Sequence, residues 1–126
     1  MKKIGLWIDH RRALIVTLTD KGQEVKQIYS GIQKHVRAGG KTPLEASRQD
    51  VVDRQFENQL RKFYGDILPY LQQAESIQIY GPGEAKKELE ARLSKEGLKD
   101  RVLETKTMDK MTDRQVIAEI RRHLPQ

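Results

Sequence analysis

Phosphodiester hydrolysis by two metal ions needs several carboxylates converging on cations about 4 Å apart. The acids that bear on this chemistry are Asp9, Asp53, Glu57, Asp113 and Glu119, with Glu75 just ahead of an apolar run. Asp9 closes the first apolar segment, and the others sit at ordinary helix-surface spacing. They read as a solvated acidic face, so neither a nuclease nor a metal site is expected. The histidines, His10, His35 and His123, include no i, i+4 ligand pair, and no serine stands in a nucleophile-elbow context. The run Gly81-Pro82-Gly83-Glu84-Ala85-Lys86 resembles an anion-binding strand–turn–helix, with Lys86 and Lys87 as cations. It lacks the spaced glycines and Lys-Ser/Thr of a phosphate loop, and Glu84 already opposes the helix dipole. A tight structural turn is the better reading. Trp7, Tyr29, Tyr64, Tyr70 and Tyr80 do not interleave with basic residues, so they read as core and edge packing rather than a base-stacking platform.

Residues 31–48 stand apart. Lys34, Arg37, Lys41 and Arg48 against Glu45 give a net +3, with His35 beside them and Gly39-Gly40 in the middle. Adjacent glycines let a backbone approach a partner closely. A basic, glycine-bearing loop on a rigid scaffold suits contacts to nucleic-acid phosphates, which give affinity without sequence readout. Arg11 and Arg12, at the first turn, join the candidate nucleic-acid-binding set.

The elements that must position these residues follow from periodicity. Ile4–Asp9 reads as a buried strand, Ala13–Thr19 as a second and Glu24–Ser30 as a third, with a hairpin turn at Asp20-Lys21-Gly22-Gln23. Val52, Phe56, Leu60, Phe63, Ile67 and Leu71 form the stripe of a long helix, capped by Ser47 or Asp50 and kinked near Gly65 and Pro69. Ser76–Tyr80 is a fourth strand. A helix over 84–95 follows, with Ala85, Leu89 and Leu93 inward and Gly97 as its stop. Arg101–Thr107 is a fifth strand. Thr112-Asp113-Arg114-Gln115 has capping-box form ahead of a last helix that turns Val116, Ile117, Ile120 and Leu124 inward and ends near Pro125. The order β-β-β-α-β-α-β-α combines an antiparallel meander with right-handed parallel crossovers. Its simplest solution is an α/β fold of ribonuclease H-like topology: a mixed five-stranded sheet, order 3-2-1-4-5, with helices on its faces.

A chain of 126 residues and 14.6 kDa is the size of one domain spanning 1–126. It has no cysteine, which excludes disulfides, thiolate metal sites and a cysteine nucleophile. No apolar run reaches the roughly 18 residues of a membrane span, and no signal-peptide core precedes Asp9. A cytoplasmic protein without membrane association is expected. The net charge of +6 is one-sided: residues 1–48 hold ten basic and four acidic residues, and residues 49–126 hold fourteen of each. A one-sided positive field favours an anionic partner, and in the cytoplasm that is mostly nucleic acid.

Three segments resemble a known family. Ile8-Asp9-His10-Arg11-Arg12-Ala13 is similar to the first hairpin of the middle, catalytic domain of the archaeo-eukaryotic class I peptide chain release factors and Pelota. Lys34-His35-Val36-Arg37-Ala38-Gly39-Gly40-Lys41, with Arg48 and the long helix, resembles the family's basic Gly-Gly-Gln loop. Ile77-Gln78-Ile79-Tyr80-Gly81-Pro82-Gly83-Glu84-Ala85-Lys86 resembles its strand–glycine turn–lysine motif. The resemblance runs along nearly the whole chain and looks closest to small stand-alone bacterial members. It implies a ribosome or tRNA as partner, no cofactor, and a role in translation such as stalled-ribosome rescue. It maps Gly39, Gly40 and Lys41 onto the catalytic tip, with Lys41 where the family has Gln. Lys41 keeps a backbone N–H for an oxyanion contact and lacks the carboxamide. Peptidyl-tRNA hydrolysis through this loop, and a non-catalytic interaction module without an RNA role, are the alternatives. Neither codon-reading nor partner-binding domains of the full factors fall within the chain.

Overall fold

The computed structural model describes residues 2–32 and 43–124. Its elements are β1 (Lys2–Ile8), β2 (Arg12–Thr19), β3 (Gly22–Tyr29), α1 (Pro43–Leu71), β4 (Ala74–Gly81), α2 (Ala85–Lys95), β5 (Val102–Thr107) and α3 (Asp113–His123), with a short 3₁₀ turn at Lys99–Arg101. The sheet order is β3-β2-β1-β4-β5. β1 pairs antiparallel with β2 and parallel with β4; β2–β3 is antiparallel and β4–β5 parallel. This is the expected topology.

β1 is apolar throughout because it is the central strand, covered on both faces. Ile4, Leu6 and Ile8 point into a core shared with Leu60, Phe63, Ile67 and Leu71 of α1 and Ala85, Leu89 and Leu93 of α2. Trp7 points the other way, with Leu14, Val16 and Tyr80, against Val116, Ile120 and Leu124 around α3. The result is three layers, α1 and α2 on one face and α3 on the other. At Gly5 a Cβ would run into Ile120 Cγ2, so α3 sits directly on the β1 backbone. At Gly81 a Cβ would meet the Ile8 carbonyl oxygen, which is the same kind of constraint between β4 and β1.

The helix ends follow their local chemistry. Thr112 Oγ1 accepts from the Gln115 N–H at 3.2 Å, and Gln115 Oε1 accepts from the Thr112 N–H at 2.9 Å. This is the reciprocal pair of a capping box. At the end of α2, Leu98 N–H bonds Leu93 O at 2.9 Å and Gly97 N–H bonds Ser94 O at 3.2 Å, with Gly97 at φ +75°. That is a Schellman motif, and Leu93 and Leu98 are both buried in the core.

The long helix differs from expectation. α1 begins at Pro43, so residues 43–48 are helical rather than part of the loop, and Ser47 and Asp50 lie inside the helix rather than at its cap. Proline suits a first helical position, where its missing N–H has no partner to lose. The helix also runs through Gly65 and Pro69 to Leu71 without a break. Its 29 residues span roughly 44 Å, while strands of seven or eight residues span about 25 Å. The overhang explains Val52: expected inward, it is 42% exposed, and Phe56 is the first residue of the stripe that packs on the core.

Candidate functional site

The β1–β2 hairpin closes on a two-residue loop, His10-Arg11. Asp9 N–H bonds Arg12 O at 3.0 Å, and Asp9 Oδ1 accepts from the N–H groups of Arg11 (2.8 Å) and Arg12 (2.9 Å). Among the described residues only glycines have positive φ, so the Asp9 side chain, rather than left-handed residues, holds this turn. Asp9 therefore acts as a turn cap and is not one of a converging set of acids. Asp113 pairs with Arg12, Glu119 with Arg122, and Asp53 and Glu57 lie along α1 beside a groove. No group of three or more metal-ligating side chains exists among the described residues.

Arg12 is tied into the scaffold. Its guanidinium lies 5.4 Å from the Trp7 ring centroid and 2.5 Å from Asp113 Oδ1, at the first turn of α3. Gln27 Nε2 donates to the other oxygen of Asp113 at 3.0 Å, and Trp7 Nε1 donates to Met108 O at 3.2 Å. Arg12 thus joins β1, β3 and α3 instead of facing outward. Its neighbour Arg11 is exposed at the tip of the hairpin.

A cleft of about 520 Å³ opens here, lined by Trp7, Asp9, Arg11, Arg12, Tyr29 and Lys110 among others. Its size is that of a small-molecule pocket. Gly31 and Ile32 form its wall, so the chain leaves the sheet from this cleft toward residue 33. Ser30 fixes that exit: its N–H bonds Arg11 O at 2.9 Å, and its hydroxyl bonds His10 O at 2.6 Å. Lys34, His35, Arg37, Gly39, Gly40 and Lys41, the candidate loop residues, lie outside the described residues, and Arg48 is placed only as a backbone position in α1. Of the sequence-stated cations, the structure brings Arg11 and Arg12 to this cleft and adds Lys110, whose Nζ lies 3.9 Å from Asp9 Oδ2.

A second cluster carries no sequence signal. His10 Nε2 lies 3.0 Å from Glu88 Oε1, and Tyr64 Oη donates to that same oxygen at 2.6 Å. The His10 ring stacks edge-on against Phe56, with centroids 5.5 Å apart. Burial pushes the Tyr64 hydroxyl well above the usual phenol range, and the hydrogen bond and charge of Glu88 push it further. A groove of about 510 Å³ between α1 and α2 opens beside this cluster, lined by Arg61, Arg92 and Lys95 as well as Asp53, Glu57 and Glu88. These partners are 78 and 24 residues apart in the chain, beyond any local motif.

The Gly81–Lys86 turn is structural. Lys86 is only 6% exposed, and its Nζ folds back to donate to Gly83 O at 2.5 Å. On the α3 face, Tyr80 is buried with its hydroxyl 3.0 Å from Gln78 Oε1 and 3.2 Å from Glu104 Oε2. Burial first, then the Glu104 charge, pushes its pKa above the ordinary phenol range. His123 stacks at 5.7 Å on the Tyr80 ring. Tyr29, on the edge strand β3, and Tyr70, near the end of α1, are 65% and 40% exposed.

No protein-family model matches the chain, and no curated protein matches it. Among solved structures it is similar to Archaeoglobus fulgidus Pelota, with a TM-score of 0.58 and 14% identity, over 96% of this chain and 31% of that one. It is also similar to Thermoplasma acidophilum Pelota, with a TM-score of 0.50 and 17% identity, over 96% of this chain and 32% of that one. The likeness is one of fold, and this chain spans about a third of the length of those proteins.

Proposed function

We propose that this chain is a translation-associated module that binds the ribosome or tRNA, with the basic segment from Lys34 to Arg48 as its working part. The observation that carries this reading is the fold likeness to Pelota over 96% of the chain. The order of motifs supports it, since the first hairpin, the basic Gly-Gly segment and the Gly81 turn follow one another as in the release-factor and Pelota middle domain. The charge supports it too, because the whole excess of +6 lies in residues 1–48. Arg11 and Lys110 flank the cleft from which that segment departs, so they would extend a positive surface at its base. Stalled-ribosome rescue is the specific role this reading favours over stop-codon termination.

Ribosome co-sedimentation at two salt concentrations tests it. Binding through phosphates should weaken as salt rises, and Lys34, Arg37 and Lys41 changed together to Ala should weaken it further and flatten the salt dependence by about one unit of slope per lost contact. Unchanged co-sedimentation of the triple variant would overturn the proposal. Peptidyl-tRNA release by wild type but not by Gly40→Ala would instead make the module an esterase.

A further inference from the structure

β3 is an edge strand, and Gly22–Lys26 are exposed along their whole length. The ladder with β2 shows which of its backbone groups face outward. Ser30 N–H bonds Arg11 O, and the register pairs Ile28 with Ala13, Lys26 with Ile15 and Glu24 with Thr17. In an antiparallel ladder hydrogen-bonded pairs alternate with non-bonded ones. The N–H and C=O groups of Ser30, Ile28, Lys26 and Glu24 therefore turn toward β2. Those of Gln23, Val25, Gln27 and Tyr29 turn outward, to the open edge.

The sequence across that edge is self-complementary. Read against itself in reverse, Gln23-Glu24-Val25-Lys26-Gln27 sets Val25 opposite Val25, Glu24 opposite Lys26 and Gln23 opposite Gln27. Because Val25 has outward backbone groups, a two-fold axis through it falls on a hydrogen-bonded pair. The Glu24–Lys26 pairs then fall on non-bonded positions, where facing side chains come closest. Both ion pairs lie on the face that carries Ile28, and neither Glu24 nor Lys26 takes part in an ion pair among the described residues. Edge lysines normally guard against strand addition. Here the guard is answered by a carboxylate on the second copy. The opposite edge, β5, repeats the spacing with Glu104 and Lys106, but Glu104 is held by Tyr80 and Thr105 by Glu90.

We propose that the β3 edge is a self-association surface: two copies of this chain pair antiparallel through β3, with the two-fold axis at Val25, and join their sheets into one.

Sedimentation velocity across a concentration series tests this. Wild type should form a concentration-dependent dimer. Glu24→Lys places like charges at both symmetry-related pairs and should weaken the dimer roughly tenfold. The double reversal Glu24→Lys with Lys26→Glu should restore it. Val25→Pro removes an outward N–H and no β2 hydrogen bond, and should abolish the dimer while circular dichroism stays native. Lys106→Glu on the other edge should change nothing. A wild type that stays monomeric throughout, a dimer indifferent to Glu24→Lys, or a reversal that fails to restore pairing would each overturn the proposal.

Discussion

Gly5 is the position where a single methyl group tests the packing of the whole α3 layer. It sits in β1 between Ile4 and Leu6, facing α3, and a Cβ there would collide with Ile120 Cγ2 while touching Leu124 at 3.5 Å. Ile120 is fully buried, so it has no open space to swing into. Overpacking of this kind costs about 1–3 kcal/mol. For a chain of 126 residues, 1 kcal/mol moves Tm by about 4 °C, so Gly5→Ala should lower Tm by roughly 4–12 °C. The colliding atom belongs to the β-branch of isoleucine. Ile120→Leu deletes that branch at nearly constant volume and should itself cost less than about 1.5 kcal/mol. A double-mutant cycle by urea denaturation then isolates the contact. The double variant should be more stable than the sum of the singles requires, by about 1 kcal/mol or more. Additive losses would refute the reasoning, because they would mean that the methyl group at position 5 meets something other than Ile120.

The other predictions address neighbouring contacts. Gly81→Ala should cost about 3 kcal/mol or more, read by the same denaturation assay, because its Cβ meets the Ile8 carbonyl of the central strand and no side-chain change can make room. Stability should fall as pH rises above 10. Tyr64 and Tyr80 have folded-state values raised above their ordinary 10.0, so the stability they add is fully present below that value and is lost as pH climbs through the folded values. Tyr64→Phe with Tyr80→Phe should flatten that decline in urea titrations at alkaline pH. Arg12→Ala should destabilise by about 1–3 kcal/mol in urea denaturation by stripping Asp113 of its cation.

The fold was legible because the strongest signals were the local ones that tertiary packing also uses. The unbroken apolar run of β1 is what a strand covered on both faces requires, and chain order with right-handed crossovers then left one simple sheet order. The capping box before α3 and Gly97 after α2 worked for the same reason, since each satisfies backbone groups within a few residues of itself. The start of α1 was not legible. A helix is visible in sequence through the stripe it buries, and Val51 and Val52, ahead of Phe56, are exposed and so add no buried position to that stripe.

The candidate site shows where charge counting fails. Arg11 and Arg12 are chemically alike and adjacent, yet Arg11 sits at the hairpin tip while Arg12 reaches back to Trp7 and Asp113. That difference rests on residues up to 101 positions away in sequence. Lys86 is spent likewise: as a structural turn requires, the fold uses its ammonium to hold the Gly83 carbonyl. His10 moved in the opposite direction, from an isolated residue to a partner of Glu88 and Tyr64. A cation near a turn therefore contributes to an interaction surface only after the scaffold's own acids and carbonyls have taken theirs. Arg12 and Lys86 are so taken, and residues 31–48 carry half of the excess of +6. This is why the proposed ribosome contact is tested first at Lys34, Arg37 and Lys41, and why Arg12 serves as a stability control rather than a binding one.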